Sequence, residues 1–293
     1  MLVNPFEVDG KWYKANLHTH TTASDGQCDV EERVQQYREH GYGVLAITDH
    51  GIVSDATEYG TDDFLVLDGV ELTVTPFEDG RFYHMLCVNT PSDLSFPGDL
   101  SPNFLIVHLR TQGAECFVAH PYWSGNTLPE LLYLEGHIGI EVFNATCQSI
   151  GKGLSSVHWD NMLEAGVETP AIAVDDIHSA GNPMDLFGGW TMLKVNELSP
   201  EAVLKALRTG CYYASSGAEI LEFRVEEGTA RLRCEEAVEI HLMGSGWHGR
   251  SFYAGEGPPL TEASVQVDAE WKYVRAEIVD ARGKRAWANP VFL

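Results

Sequence analysis

The sequence predicts a mixed α/β protein: a TIM-like β/α barrel of seven or eight strands, followed by a small antiparallel β-domain. Three observations carry that expectation. Short β-branched runs alternate with amphipathic helical stretches through the first two-thirds of the 293 residues, the order that builds parallel β/α units. Seven or eight such units favour a barrel over a doubly wound open sheet, which stands as the alternative. After about Ser216 the helical period disappears, and apolar and polar residues alternate between turn signals. The expected division is therefore residues 1–216 for the barrel and 217–293 for the β-domain.

Taken in order, the strand candidates are "KANLHTH", "GVLAITDH", "FLVLDGVELT", "YHMLCVN", "ECFVAHP", "IGIEVFN" and "PAIAVDDIH", with "WTMLKVNE" as an eighth. Helices fall between several of them. Asp29 is placed to cap "VEERVQQYREH", which stops at Gly41, and Ser199-Pro200 opens "EAVLKALRTG" with proline at the first helical position. "PNFLIVHLRTQG" and "SSVHWDNMLEAG" carry the same helical pattern. "YYASSG" reads as a linker to the β-domain, the alternative being a hydroxyl-rich rim. Trp247, Trp271 and Trp287 read as core or interface packing rather than a sugar-binding face.

Composition narrows the function classes. At 44% hydrophobic residues the chain has enough apolar material for a substantial core. A formal charge of -24 repels nucleic-acid and membrane phosphates, which argues against a wide nucleic-acid interface and leaves a small-molecule substrate as the expected partner. The first residues lack the apolar core of a signal peptide and no stretch reaches the ~20 apolar residues of a membrane span, so a cytoplasmic location is expected. The six cysteines include no C-x-x-C pair and are expected as buried free thiols.

Metal-ligand residue types gather where the strand candidates end. His18 and His20 close the first, His50 the second, and Glu71 sits late in the third; His120 ends the fifth, and Asp176 and His178 the seventh. In a β/α barrel those ends share one mouth. His84 is the exception, at the start of its run, and Asp25 lies on the loop after the first strand. Residues two apart on a strand project to one side, so His18 and His20, and likewise Asp176 and His178, can grip one ion. Imidazole and carboxylate donors suit Zn, Mn or Fe better than Ca or Mg, and Glu71 is a carboxylate able to bridge two ions. The other six histidines, His40, His108, His137, His158, His241 and His248, fall elsewhere and are read as structural. Asp49 is either an orienting partner for the neighbouring ligand or a strand terminator; Asp175 should point away from the centre.

The runs "LHTHTTASDG", "GYGVLAITDH", "GVELT", "AHP" and "DDIH" resemble, in order, the signatures of the PHP family, named for its polymerase and histidinol-phosphatase members. The resemblance spans about residues 14 to 215. It implies a distorted β/α barrel with a trinuclear metal centre, two or three divalent ions in all. Carried over position by position, His18, His20, Glu71 and Asp176 would hold the first ion, Glu71, His84 and His120 the second, and Asp25, His50 and His178 the third. Some relatives have histidine where this chain has Asp25, and a carboxylate in place of imidazole hardens the third site. "HWDNMLEAG", "DDIHSAG", "FGGW", "LRTGCYYASSGAEI" and "RAWANPVFL" are similar to the branch that includes carbaryl-hydrolysing enzymes.

The expected activity is metal-dependent hydrolysis of a small phosphate ester. Ions sharing Glu71 would lower the pKa of a water between them from 15.7 to about 7 and so supply a hydroxide nucleophile. Asp176 would orient or deprotonate that water, with His178, Asp25, His50 and their ion stabilising the leaving group. The alternatives are hydrolysis of a carboxylic ester or carbamate and, from another class, a non-catalytic metal-binding module. Trp123, Ser124 and Asn144 fall on mouth loops where a substrate would lie, and Lys152 and Arg81 are candidate contacts to an anionic group.

Overall fold

The computed structural model describes residues 2–75, 80–94 and 101–293. β1 (Lys11–Asn16), β2 (Val44–Ile47) and β3 (Leu65–Val74) are parallel neighbours, with α1 (Val30–Glu39) between the first two. Asp29 and Glu32 form a reciprocal capping box at the start of α1, and the chain leaves it through Gly41 at φ 74°, a left-handed turn glycine tolerates. β4 (Tyr83–Val88) then runs antiparallel to β3 and to β5 (Glu115–Val118), which follows α2 (Pro102–Thr111). After α3 (Pro121–Ser124) and α4 (Leu128–Tyr133) come β6 (Gly139–Asn144), α5 (Ala145–Gln148), α6 (Ser156–Glu164) and β7 (Ala171–Val174). β5, β6 and β7 are parallel.

The coarse expectation of a mixed α/β assembly with a separate antiparallel sheet holds; its details need correction. β8 (Trp190–Val195) is not an eighth parallel strand but pairs antiparallel with β1. After α7 (Pro200–Thr209), "YYASSG" supplies β9 (Tyr212–Ser215), a buried strand rather than a linker, because its apolar side chains fill the space beside β8. β1 and β7 are not neighbours in the strand order. Beyond their ends, however, Thr19 and Ile177 form a parallel bridge, and His20 N donates to Ile177 O at 3.0 Å.

Strands with two buried faces explain the unbroken apolar runs. On β2, Val44 and Ala46 join one core with Ala15, Leu67, Leu86 and Phe117, while Leu45 and Ile47 pack with Val34 and Tyr37 of α1.

The remaining strands are β10 (Ile220–Glu226), β11 (Thr229–Ala237), β12 (Glu239–Gly244), β13 (Gly249–Tyr253), β14 (Leu260–Gln266), β15 (Tyr273–Val279) and β16 (Arg285–Phe292). β10, β11 and β14 form a three-stranded antiparallel sheet. β13, β12, β15 and β16 instead extend the main sheet through β9, giving the order β13-β12-β15-β16-β9-β8-β1-β2-β3-β4-β5-β6-β7. Buried Arg275 of β15 makes a two-pronged ion pair with Asp160 of α6, at 2.6 and 2.7 Å. Trp271 and Trp287 are buried, Trp287 against Phe143, but Trp247 is 87% exposed and packs into no core. All six cysteines are free and buried. No helix among the described residues is long and apolar enough to cross a membrane.

Candidate metal centre

The nine candidate ligands converge. Their donor atoms form three groups, each within 4.8 Å: His18, His20, Glu71 and Asp176; Glu71, His84 and His120; His20, Asp25, His50 and His178. Glu71 is the hub. Its Oε2 lies 3.1 Å from His18 Nε2, 3.3 Å from His20 Nε2 and 3.1 Å from His50 Nδ1, and its Oε1 lies 2.6 Å from His84 Nδ1 and 3.0 Å from His120 Nε2. Asp176 Oδ1 sits 3.0 Å from His20 Nε2 and 3.3 Å from His18 Nε2. Asp25, whose side chain is 56% exposed, reaches His178 Nε2 at 3.4 Å and His50 Nε2 at 3.6 Å.

Strand direction resolves the His84 exception. β4 is antiparallel to β3, pairing His84 with Thr73 and Leu86 with Glu71, so the start of β4 lies beside the end of β3. The strand-parity argument for the paired ligands needs correction. β1 ends at Asn16 and β7 at Val174, so His18, His20, Asp176 and His178 all lie beyond the regular strands. Asp176 and His120 adopt positive φ, 56° and 24°, an uncommon conformation for such residues that the surrounding hydrogen bonds hold in place.

Among the residues that make those bonds is one the sequence analysis did not single out. Fully buried Glu141 on β6 accepts from His18 Nδ1 at 2.6 Å, from the His120 backbone N at 2.8 Å and from Asn144 Nδ2 at 2.9 Å. With the proton on Nδ1, His18 turns the lone pair of Nε2 toward the cluster. Nothing in the strand pattern of "GIEVFN" marks this glutamate, apart from its being a charge inside an apolar run. Asp49 accepts from Thr21 N, Thr21 Oγ1, Ser24 Oγ and Ser54 Oγ at 2.7 to 2.8 Å, fastening the loop that carries Asp25. Gly26 completes that loop, because a Cβ there would come within 2.5 Å of the His20 carbonyl. Asp175 points away, accepting from Tyr37 Oη at 2.6 Å and from the Phe187 and Gly189 backbone.

The proposed substrate residues divide. Trp123 lines a cavity of about 280 Å³ over the cluster, together with Asp25, His50, His84, His120, Thr146, Cys147, Ser149, Ile150, Asp176 and His178. Ser124 and Asn144 do not line it. Ser124 Oγ sits 3.2 Å from His120 Nδ1, and Asn144 bridges Glu141 and Asp176 Oδ2, the latter at 3.1 Å, so both support cluster residues instead. Nor do Arg81 and Lys152: Arg81 is ion-paired with Glu130, and Lys152 Nζ lies 5.8 Å from the Tyr122 ring centre. Thr146, Cys147, Ser149 and Ile150, on α5 and its following turn, supply much of the cavity wall. The other six histidines join none of the three groups among the described residues.

The donor set fits divalent ions. His18 Nε2, His20 Nδ1 and His84 Nδ1 are buried and make no aligned hydrogen bond despite the carboxylates beside them, and a cation is the partner that several converging lone pairs share. The electrostatics agree. Burial opposes a charged imidazole at His18, yet the carboxylates of Asp176, Glu71 and Glu141 raise its pKa well above the ordinary value; His20 is likewise pushed up to about 9 against burial, chiefly by hydrogen bonds to Asp176 and Glu71. The cluster thus attracts positive charge, which bound cations supply in place of protons.

A buried histidine–carboxylate cluster at strand ends defines the class: a mixed α/β protein built to hold cations. Residues 16–90 match the model of the PHP domain, and that segment contains six of the nine cluster residues. Among solved structures, the chain is similar to a two-domain protein containing a predicted PHP-like metal-dependent phosphoesterase from Bacteroides vulgatus, at 18% identity and a TM-score of 0.55, covering 92% of this chain and 90% of that one. At that coverage the likeness reaches into the C-terminal strands, and it shows the fold. Weaker matches include a lesion-specific endonuclease from Pyrococcus furiosus (15% identity, TM-score 0.48, covering 68% of this chain and 56% of that one) and an amidohydrolase from Chromobacterium violaceum (17%, 0.45, 68% and 96%). None of the three is described as a carbaryl hydrolase. No curated protein matches the chain.

Proposed function

We propose that this protein is a metal-dependent hydrolase of a small phosphate ester, with residues 1–216 as the catalytic unit and 217–293 as an appended β-unit. The observation that carries the reading is the position of Glu71, one buried carboxylate within 2.6 to 3.3 Å of five imidazoles. His18, His20, Glu71 and Asp176 would hold one ion, Glu71, His84 and His120 a second, and Asp25, His50 and His178 a third, with His20 near enough to serve two of them. The donor chemistry suits Zn, Mn or Fe. When bound, such ions lower the pKa of coordinated water and neutralise charge on a phosphoryl oxygen.

The chain's own groups then have defined tasks. Asp176, held by Asn144 through Oδ2, orients the attacking water and accepts its proton. The water oxygen forms the new P–O bond as the bond to the leaving oxygen breaks, and that oxygen takes a proton from solvent. His50 and His178, the more open imidazoles of the cluster, face the departing group. Trp123 and Ile150 limit access of bulk water.

The test is release of inorganic phosphate from simple monoesters by the full chain reconstituted with Mn, Zn or Fe. Saturable release that falls at least a hundredfold in Asp176→Asn with metal content retained is the expected result. Full turnover in that variant would remove Asp176 from its role, and absence of phosphate release with every ion would overturn the reading.

A further inference from the structure

The cavity over the cluster has a chemical asymmetry. Its floor is the histidine and carboxylate set, but its wall consists of Trp123, Thr146, Cys147, Ser149 and Ile150. No lysine or arginine lines it among the described residues, and none occurs in segments 76–79 and 95–100 either. Of the basic residues placed near the mouth in sequence, Arg81 is ion-paired with Glu130, and Lys152, close enough to Cys147 for its charge to act there, stays outside the lining with its Nζ 5.8 Å from the Tyr122 ring centre.

Trp123 stands in an aromatic row. Its ring centre is 4.9 Å from His120, 5.7 Å from His84 and 6.0 Å from Phe82, which fixes its plane beside the floor. Ile150 is 64% exposed at the same cavity, an apolar side chain with no packing of its own. At about 280 Å³ the space lies at the lower end of the ~300–1,000 Å³ of small-molecule sites. Cations on the floor would satisfy one phosphoryl group. A second anionic group on the same substrate would meet the acidic field of a chain at -24 with no lysine or arginine lining the wall among the described residues.

We infer that the substrate is a monophosphate ester whose leaving group is small, flat and uncharged, seated against Trp123 and Ile150, and not one that carries a second phosphate or a carboxylate. This specificity rests on the phosphoesterase reading above.

Binding of non-hydrolysable analogues to the metal-loaded full chain, measured by titration calorimetry, separates the two claims. Phenylphosphonate is expected to bind about tenfold more tightly than methylphosphonate, the scale of one aromatic contact plus its buried area, and ethylenediphosphonate no more tightly than methylphosphonate. Trp123→Ala should bring the phenyl-to-methyl ratio close to one. Ile150→Lys, at an exposed position that does not threaten folding, should shift preference toward the diphosphonate. Tightest binding of the diphosphonate by the unaltered chain, or an undiminished phenyl preference in Trp123→Ala, would overturn this inference alone. Hydrolysis of phenyl acetate with no binding of any phosphonate would overturn the phosphoesterase reading and this inference with it.

Discussion

Two histidines beside β6 behave in opposite ways. His137, just before the strand, is pushed down to about 4 by burial, which its hydrogen bond with Gly139 only partly offsets. His18, held by Glu141 from the same strand, is fully buried yet raised well above the ordinary value, because three carboxylates outweigh the loss of solvent. Burial alone makes an imidazole shed charge; burial among carboxylates makes it take charge up. The difference separates a desolvated histidine with no carboxylate beside it from one that belongs to a cation site.

The largest effect should follow from removing the shared carboxylate. Glu71→Gln is expected to lower phosphate release by about 10³-fold and to cost at least one bound ion, read by turnover together with elemental analysis. Retention of activity within tenfold would erase the distinction between the two histidines.

Chelation comes next. Removing ions held at about 1,000 times their dissociation constant should lower unfolding free energy by about 4 kcal/mol, visible as a drop in thermal midpoint that readdition reverses. An unchanged midpoint would mean that the cluster holds no ion tightly.

His137, just before β6, provides an acid-dependent term. Its native pKa lies below the unfolded value of 6.5, so above 6.5 it is neutral in both states and contributes nothing. As pH falls toward 4 the unfolded chain binds a proton that the native one does not, and about 3 kcal/mol of stability is lost. In metal-free protein, His137→Gln should flatten denaturation midpoints between pH 6.5 and 4 relative to the unaltered chain; parallel slopes would contradict the assignment.

The smallest effect belongs to Glu141→Gln, which keeps the shape of the side chain and removes its charge. Metal affinity should weaken about tenfold without loss of the fold, as competition with a chromophoric chelator would show. Unaltered affinity would reduce Glu141 to a packing role.

Much of this centre was legible because ligand chemistry is local in sequence: His-x-His, Thr-Asp-His and Asp-Asp-Ile-His each announce metal donors at a segment's end. What periodicity lacks is direction. A strand reads the same whichever way it runs, so the reversed β4 that brings His84 to the mouth, and the antiparallel β8, could not be read from alternation alone. The left-handed backbone at His120 and Asp176 was hidden for a similar reason, since tertiary hydrogen bonds impose it against local preference. Glu141 and Asn144 looked like strand and loop residues because their partners, His18 and Asp176, lie 123 and 32 positions away. The short α5 and the turn after it offered too few residues for a helical period.

The central claim is that nine dispersed side chains form one cation site organised by Glu71. Its most direct test is calorimetric titration of the metal-free full chain with Mn or Zn, with stoichiometry checked by elemental analysis. Two or three ions per unaltered chain, falling in Glu71→Gln, is the predicted result; fewer than one ion per unaltered chain, or the same stoichiometry in both, would contradict it.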